Sequence, residues 1–134
     1  MTMEPMNKAD YFHEKIEVNL SPIKNELKMK SYMSDIIEGL IYLHDRGVVH
    51  ADMKLENCLI HKFDDDNLPI VKLCDFGLSR FLDHSGRFYA EKSCGTVGYI
   101  APEIKAKTYV NEKIDMWALG VMLYKMAVAY KPTQ

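Results

Sequence analysis

The stretch that decides the fold is HADMKLEN, residues 50–57, which runs from His50 to Asn57 and leads into the apolar run Cys58-Leu59-Ile60. It follows a long amphipathic segment and places an acid (Asp52), a cation (Lys54) and an amide (Asn57) on one short turn between a predicted helix and a predicted strand. Taken alone, each of the three reads as an ordinary surface or turn residue. Together they ask what chemistry needs a carboxylate, an ammonium and an amide oxygen within a few residues of one another.

Upstream, the periodicity predicts a helix from Lys24 to Asp45. Leu27, Met33, Ile36, Ile37, Leu40 and Leu43 recur at three- and four-residue spacing and are assigned to one buried face. Ser21-Pro22 supplies a start signal, and Gly47 stands where a C-cap glycine belongs. Downstream, NCLIH (57–61) and PIVKLC (69–74) read as two short strands joined by the acidic segment KFDDDNL, a hairpin with a long turn. From Asp75 to Tyr99 periodicity is lost and Gly, Ser and charge dominate, so a long functional loop is expected. A last helix over 113–130 is apolar nearly all round and is expected at the centre of the fold.

The bulk composition narrows the function. With 134 residues, 48% hydrophobic and 27% charged, the chain has the make-up of one globular domain able to bury a core. A formal charge of −2 offers no footprint for nucleic acid and no polybasic membrane signal. Cys58, Cys74 and Cys94 are far apart, without a C-x-x-C pair, and read as free thiols of a reducing compartment. The N-terminal MTMEPMNKAD has no apolar core of a signal peptide, and the apolar stretch 114–130 carries Asp115 and Lys125, so no membrane span is expected. The cytoplasm is the expected location, and a nuclear protein would look the same. DDDN (64–67) lacks the glycine and ligand of a calcium loop, because Leu68 and Pro69 stand there. The five histidines show no zinc-ligand spacing.

Three further motifs follow HADMKLEN in order: Asp75-Phe76-Gly77, Ala101-Pro102-Glu103, and Asp115-x-Trp117 with Gly120 in the last helix. Four motifs in this register resemble the eukaryotic protein kinase family. The resemblance implies an α+β fold: the mostly helical C-lobe of a kinase with a short β-hairpin and the N-terminal lobe absent. It implies transfer of the γ-phosphate of ATP, with Mg²⁺, to a protein substrate. Within it Asp52 is the catalytic base, Lys54 steadies the γ-phosphate, and Asn57 and Asp75 hold Mg²⁺ through oxygen. Thr96 bridges Asp52 and Lys54. Glu4 to Met6 would form the hinge, Asp10 the acid near the ribose, and Leu59 the floor under adenine. Cys74 would line the nucleotide pocket as an apolar filler. His50 and Phe76 would belong to the internal spine, and Asp115 would tie down the catalytic-loop backbone. Lys at 54 and the CGTVGYIAPE segment (94–103) imply serine/threonine specificity. That form is common among calcium/calmodulin-dependent-like kinases and too widespread to assign a subfamily.

In kinase terms the chain divides into hinge and C-lobe start (3–20), helix (24–45), catalytic loop (50–57), DFG and activation segment (75–103) and core helix (113–130). Two departures stand out. Ala51 replaces the Arg that usually pairs with an activation-loop phosphate, which leaves either a kinase without that switch or a degraded one. No Gly-rich loop, β3 lysine or αC glutamate precedes residue 50, and the partner arginine of Glu103 is not in the sequence. The expectation is therefore about half of a kinase domain, inactive and poorly soluble alone. An inactive kinase-like binding module is the alternative.

Overall fold

The computed structural model describes residues 26–61, 70–91, 94–106 and 108–128. The segment 3–20 with Glu4, Met6 and Asp10, the acidic loop 62–69, Ser93 and the stretch 129–134 lie outside the described residues.

Helix α1 spans Glu26–Asp45 and buries Tyr32, Ile36, Leu40 and Leu43. The reading that also buried Leu27 and Ile37 is corrected: they are 64% and 40% exposed. At 3.6 residues per turn Leu27 lies roughly 180° around the helix from Ile36, and Ile37 lies about 100° away, so neither shares its stripe. Tyr32 takes the place on the buried face, with Met29 and Met33 packed beside it. The helix ends in a left-handed Gly47 (φ 70°) whose amide donates to the His44 carbonyl at 3.0 Å. Glycine reaches that conformation without a Cβ penalty, which is why the helix stops there.

Strand β1 (Val48–Val49) follows at once. A 3₁₀ turn at Leu55–Asn57 leads into β2 (Cys58–His61), which pairs antiparallel with β3 (Ile70–Leu73) in the register Cys58↔Leu73 to His61↔Ile70. Asn57 thus closes the turn and does not open the strand. The hairpin packs on α1 so closely that a Cβ on Gly39 would meet Leu73 Cδ1 at 3.0 Å. Asp35 on the same helix accepts the Val71 amide at 2.9 Å.

The segment read as one aperiodic loop contains two short strands. β4 (Arg80–Phe81) pairs with β1, and β5 (Phe88–Tyr89) pairs with β6 (Tyr109–Val110). Two-residue strands carry no readable alternation, so periodicity missed them. A second 3₁₀ turn covers Pro102–Ala106, and α2 runs Lys113–Val128.

Two apolar clusters form the interior. One joins α1, the hairpin and α2 through Ile36, Leu40, Met53, Cys58, Leu73, Met122 and Met126. The other gathers Val49, Ala51, Phe88, Cys94, Ile104, Val110 and Ile114. Helix α2 therefore contributes to both. It buries Ile114, Asp115, Ala118, Leu119, Met122 and Met126 and leaves Met116, Trp117, Leu123 and Tyr124 exposed among the described residues, so a helix apolar nearly all round packs centrally along one face and presents apolar side chains on another. Among the described residues no helix is long and apolar enough to cross a membrane.

Candidate active site

The loop from His50 to Lys54 runs between the two clusters. Val49 and Ala51 are buried in one, Met53 and Leu55 in the other, while Asp52 and Lys54 are only partly covered. Asp115 at the start of α2 is 1% exposed and fixes this loop. Its Oδ2 accepts the His50 amide and its Oδ1 the Ala51 amide, both at 2.9 Å. His44 Nε2, at the end of α1, lies 2.8 Å from the same Oδ2. His50 completes the frame. Its Nδ1 accepts the Asp52 amide at 3.1 Å, which assigns the ring proton to Nε2, 2.9 Å from the Cys74 carbonyl. The His50 and Phe76 rings meet at 5.2 Å between centroids.

On this frame the polar side chains converge. Thr96 Oγ1 donates to Asp52 Oδ1 at 2.7 Å and accepts from Lys54 Nζ at 2.9 Å. Lys54 Nζ is 3.8 Å from Asp52 Oδ2. Asn57 Nδ2 donates to the Asp52 carbonyl at 2.9 Å and approaches Asp52 Oδ2 at 3.3 Å. Thr96 reaches Asp52 because its turn is tight: Gly95 and Gly98 both have positive φ, and the Tyr99 amide returns to the Thr96 carbonyl at 3.0 Å. Asp52, Lys54, Asn57 and Thr96 are thus brought together.

Asp75 is held nearby through the backbone, since the Cys74 amide donates to the Asn57 carbonyl at 2.9 Å. Its own φ is 59°, its side chain is exposed, and its Oδ1 accepts the Gly77 amide at 3.2 Å. Leu59 is buried in β2, and Cys74 is half-buried. Glu4, Met6 and Asp10 are not among the described residues, so the nucleotide-side contacts expected of them have no geometry here.

The donor set suits a hard cation. With its amide nitrogen committed to Asp52, Asn57 keeps Oδ1 for a metal, and Asp75 offers carboxylate oxygen. Among the described residues no cluster of three His, Cys, Asp or Glu side chains could hold an ion. Asn57 and Asp75 offer two protein oxygens, a number Mg²⁺ can take while completing its shell with phosphate and water.

The whole chain, residues 1–134, matches the protein kinase domain family. The chain belongs to that family. It is 41% identical over 97 residues to the calcium/calmodulin-dependent protein kinase cmkB of Emericella nidulans, covering 72% of this chain and 24% of that protein. It is 42% identical over 107 residues to the calcium/calmodulin-dependent protein kinase type I of Schizosaccharomyces pombe, covering 80% of this chain and 31% of that one. The serine/threonine-protein kinase zyg-8 of Caenorhabditis elegans aligns over all 134 residues at 36% identity, 16% of its length. The chain thus spans less than a third of each of these relatives. It is a portion of a serine/threonine kinase catalytic domain, partial and α+β, and its family works with ATP and Mg²⁺.

Two features of this kinase segment were not singled out by sequence reading. His44 carried no metal-ligand spacing and so no signal, yet it meets Asp115 across 71 positions of sequence. Lys125 was read only as a charge that disqualifies a membrane span, yet its Nζ lies 4.2 Å from the centroid of the Tyr99 ring. Burial pushes the Cys58 thiol far up, with the neighbouring Cys74 and Glu56 adding to the shift. Burial also raises Cys94, against a downward pull from Arg80. Both thiols are packing groups and stay protonated.

Proposed function

We infer that this chain supplies the catalytic-loop and activation-segment part of a serine/threonine protein kinase, which transfers the γ-phosphate of ATP to a Ser or Thr hydroxyl of a protein substrate. The carrying observation is the continuous chain Lys54–Thr96–Asp52–Asn57, joined by bonds of 2.9, 2.7 and 2.9 Å.

Phosphoryl transfer asks the protein mainly for position and charge. Asp52 presents its carboxylate to the substrate hydroxyl, orients it and takes its proton. Thr96 holds that carboxylate on one side and Asn57 on the other, so its rotamer is set before substrate arrives. Lys54, fixed on the Thr96 hydroxyl, places its ammonium toward the γ-phosphate oxygens. Asn57 and Asp75 would hold Mg²⁺, which when bound neutralises charge on the phosphates. Leu59 would floor the adenine site, with Glu4, Met6 and Asp10 on the hinge side. The Lys54–Thr96 pair supports Ser/Thr over Tyr as acceptor.

The test grafts residues 50–103 into a complete calcium/calmodulin-dependent kinase domain and measures Mg-ATP-dependent phosphorylation of a Ser/Thr peptide. The chimera should turn over, and Asp52→Asn should lower kcat by about three orders of magnitude, since pre-set electrostatics carry most of the rate. Near-normal turnover in that variant would remove Asp52 from the mechanism.

A further inference from the structure

We propose that the exposed apolar stripe of α2 is a dimerisation surface, on which a second copy of this chain packs antiparallel about Gly120 with a two-fold axis between the helices. The proposal stands on the outer side of α2 and is independent of the kinase reading above.

The stripe follows from the spacing of residues on the helix. Asp115, Met122 and Met126 turn inward. At 3.6 residues per turn, Trp117, Gly120, Val121, Tyr124 and Val128 fall on the opposite side, within roughly 60° of its centre. Trp117 is 50% exposed, Tyr124 60% and Val128 51%. Met116, Trp117, Gly120, Val121 and Tyr124 line an open groove of about 420 Å³. Gly120 leaves its notch, since a Cβ there would meet nothing within 4 Å. Between Met116 and Tyr124 the sequence carries no charged residue.

The occupant follows from the shape and charge of the stripe. It carries both projecting aromatics and the notch between them, so it is complementary to itself, as a two-fold contact requires. Antiparallel pairing about the step from Gly120 to Val121 sets Trp117 of each copy beside Tyr124 of the other. The missing Cβ lets the two axes close to the short end of the roughly 8–10 Å range of packed helices. Lys113, on the same stripe at the first turn, then meets the last turn of the other helix, whose carbonyl end favours a cation. Half of an aromatic residue's surface is roughly 100 Å², so with Met116 and Val128 each copy offers roughly 300–400 Å² of apolar side chain. Both copies with the glycine backbone and the rim cover about 1,000 Å², the range of a weak specific dimer. Asp115 points the opposite way, so pairing on the stripe leaves its bonds to His50 and Ala51 in place.

The test is sedimentation equilibrium of the 134-residue chain over a range of concentrations. A monomer–dimer equilibrium with a Kd of roughly 10–100 µM is expected. Trp117 is the one tryptophan of the chain, so its emission should shift to the blue with the same midpoint. Gly120→Gln puts its side chain into open space in one copy and fills the notch between two. It should weaken association about tenfold or more, while circular dichroism and monomer stability stay at or above the parent's, because glycine is the poorer helix former. Trp117→Ala should weaken association as well, whereas Ile37→Gln, at an exposed apolar position of α1, should not. Lys113→Glu sets an acid at the carbonyl end of the other helix and should weaken association about two- to five-fold; no weakening would overturn the antiparallel pairing. A monomer at every concentration would overturn the dimer and leave the stripe to another occupant. Growth past the dimer, full association in Gly120→Gln, or an equal loss in Ile37→Gln would overturn it too, since each means apolar association without a closed two-fold contact.

Discussion

Asp115 ties the last helix to the loop that carries Asp52, and removing its carboxylate should expose how much of the fold depends on that tie. It accepts two buried amides at 2.9 Å and lies 2.8 Å from His44 Nε2, with 1% of its surface exposed. Asp115→Ala leaves the His50 and Ala51 amides without acceptors and His44 without its partner. Each unmatched buried group costs about 1–3 kcal/mol, and three such groups are left by the one substitution. A loss of about 4 kcal/mol is expected. With a urea slope of about 1.5–2 kcal/mol per molar, the unfolding midpoint should fall by about 2–3 M. Met116→Ala, next along the same helix but exposed, controls for helix propensity and should change stability by less than about 0.5 kcal/mol. The assay is urea denaturation followed by circular dichroism, with hydrogen exchange of the His50 and Ala51 amides read in parallel. Those two amides should exchange much faster in Asp115→Ala than in Met116→Ala. If the midpoint moved no more than in the Met116 control, or if the two amides stayed protected, the assigned role of Asp115 would be wrong.

Other consequences are nearer the surface of the site. Thr96→Ala in the grafted kinase should lower kcat about tenfold or more with little change in KM, whereas Thr96→Ser, which keeps the bridging hydroxyl, should restore most of it. Because Ala51 offers no cation to a phosphate on Ser85, Tyr89 or Ser93, activity of the grafted kinase should be the same before and after phosphatase treatment; a large loss would reveal another cation in that role. Cys58 and Cys94, both raised by burial, should resist a thiolate-directed alkylating reagent at neutral pH until the chain is unfolded, as mass spectrometry would show. Their folded values lie above the ordinary 9.0, so the stability they contribute is complete below that pH and declines above it as the unfolded thiols ionise, which alkaline unfolding curves would track.

Much of the site could be read before any coordinates because its members either lie close in sequence or belong to short motifs in a set order. Asp52, Lys54 and Asn57 share one turn, and the spacing that suggested common chemistry is the spacing that lets Asn57 reach back to the Asp52 carbonyl. The α1 stop signal at Gly47 worked for a similar reason, since a helix end is a local event. What sequence could not carry was direction. Leu27 and Ile37 match a three-and-four spacing with some neighbours but point away from the stripe centred on Ile36, and only the packed hairpin says which stripe is inward. β4 and β5 escaped because their partners, β1 and β6, are distant in sequence and each pairing is two residues long. Lys125 and His44 escaped because a single charge on a helix has no pattern; their meaning lies in Tyr99 and Asp115, which the fold brings to them.

The placement of Asp52 itself follows from how the loop divides its burial. Val49 and Ala51 enter one apolar cluster, Met53 and Leu55 enter the other, and Asp115 takes the two amides between. A chain anchored alternately on both sides must direct the intervening side chains, those of 52 and 54, toward the open side between the clusters. The left-handed conformation of Ala51 (φ 67°) is part of that geometry: it turns the chain between the amide bonded to Asp115 and the carboxylate of Asp52. A non-glycine residue there costs roughly 1–2 kcal/mol of backbone strain, which the buried methyl and the Asp115 bond must offset. The candidate functional residues therefore sit on a loop yet are fixed on both flanks by packing. Hydrophobic burial on both flanks and one buried carboxylate do for this turn what a ladder of hydrogen bonds does for a strand. Loosening either flank should move Asp52 before it unfolds the domain.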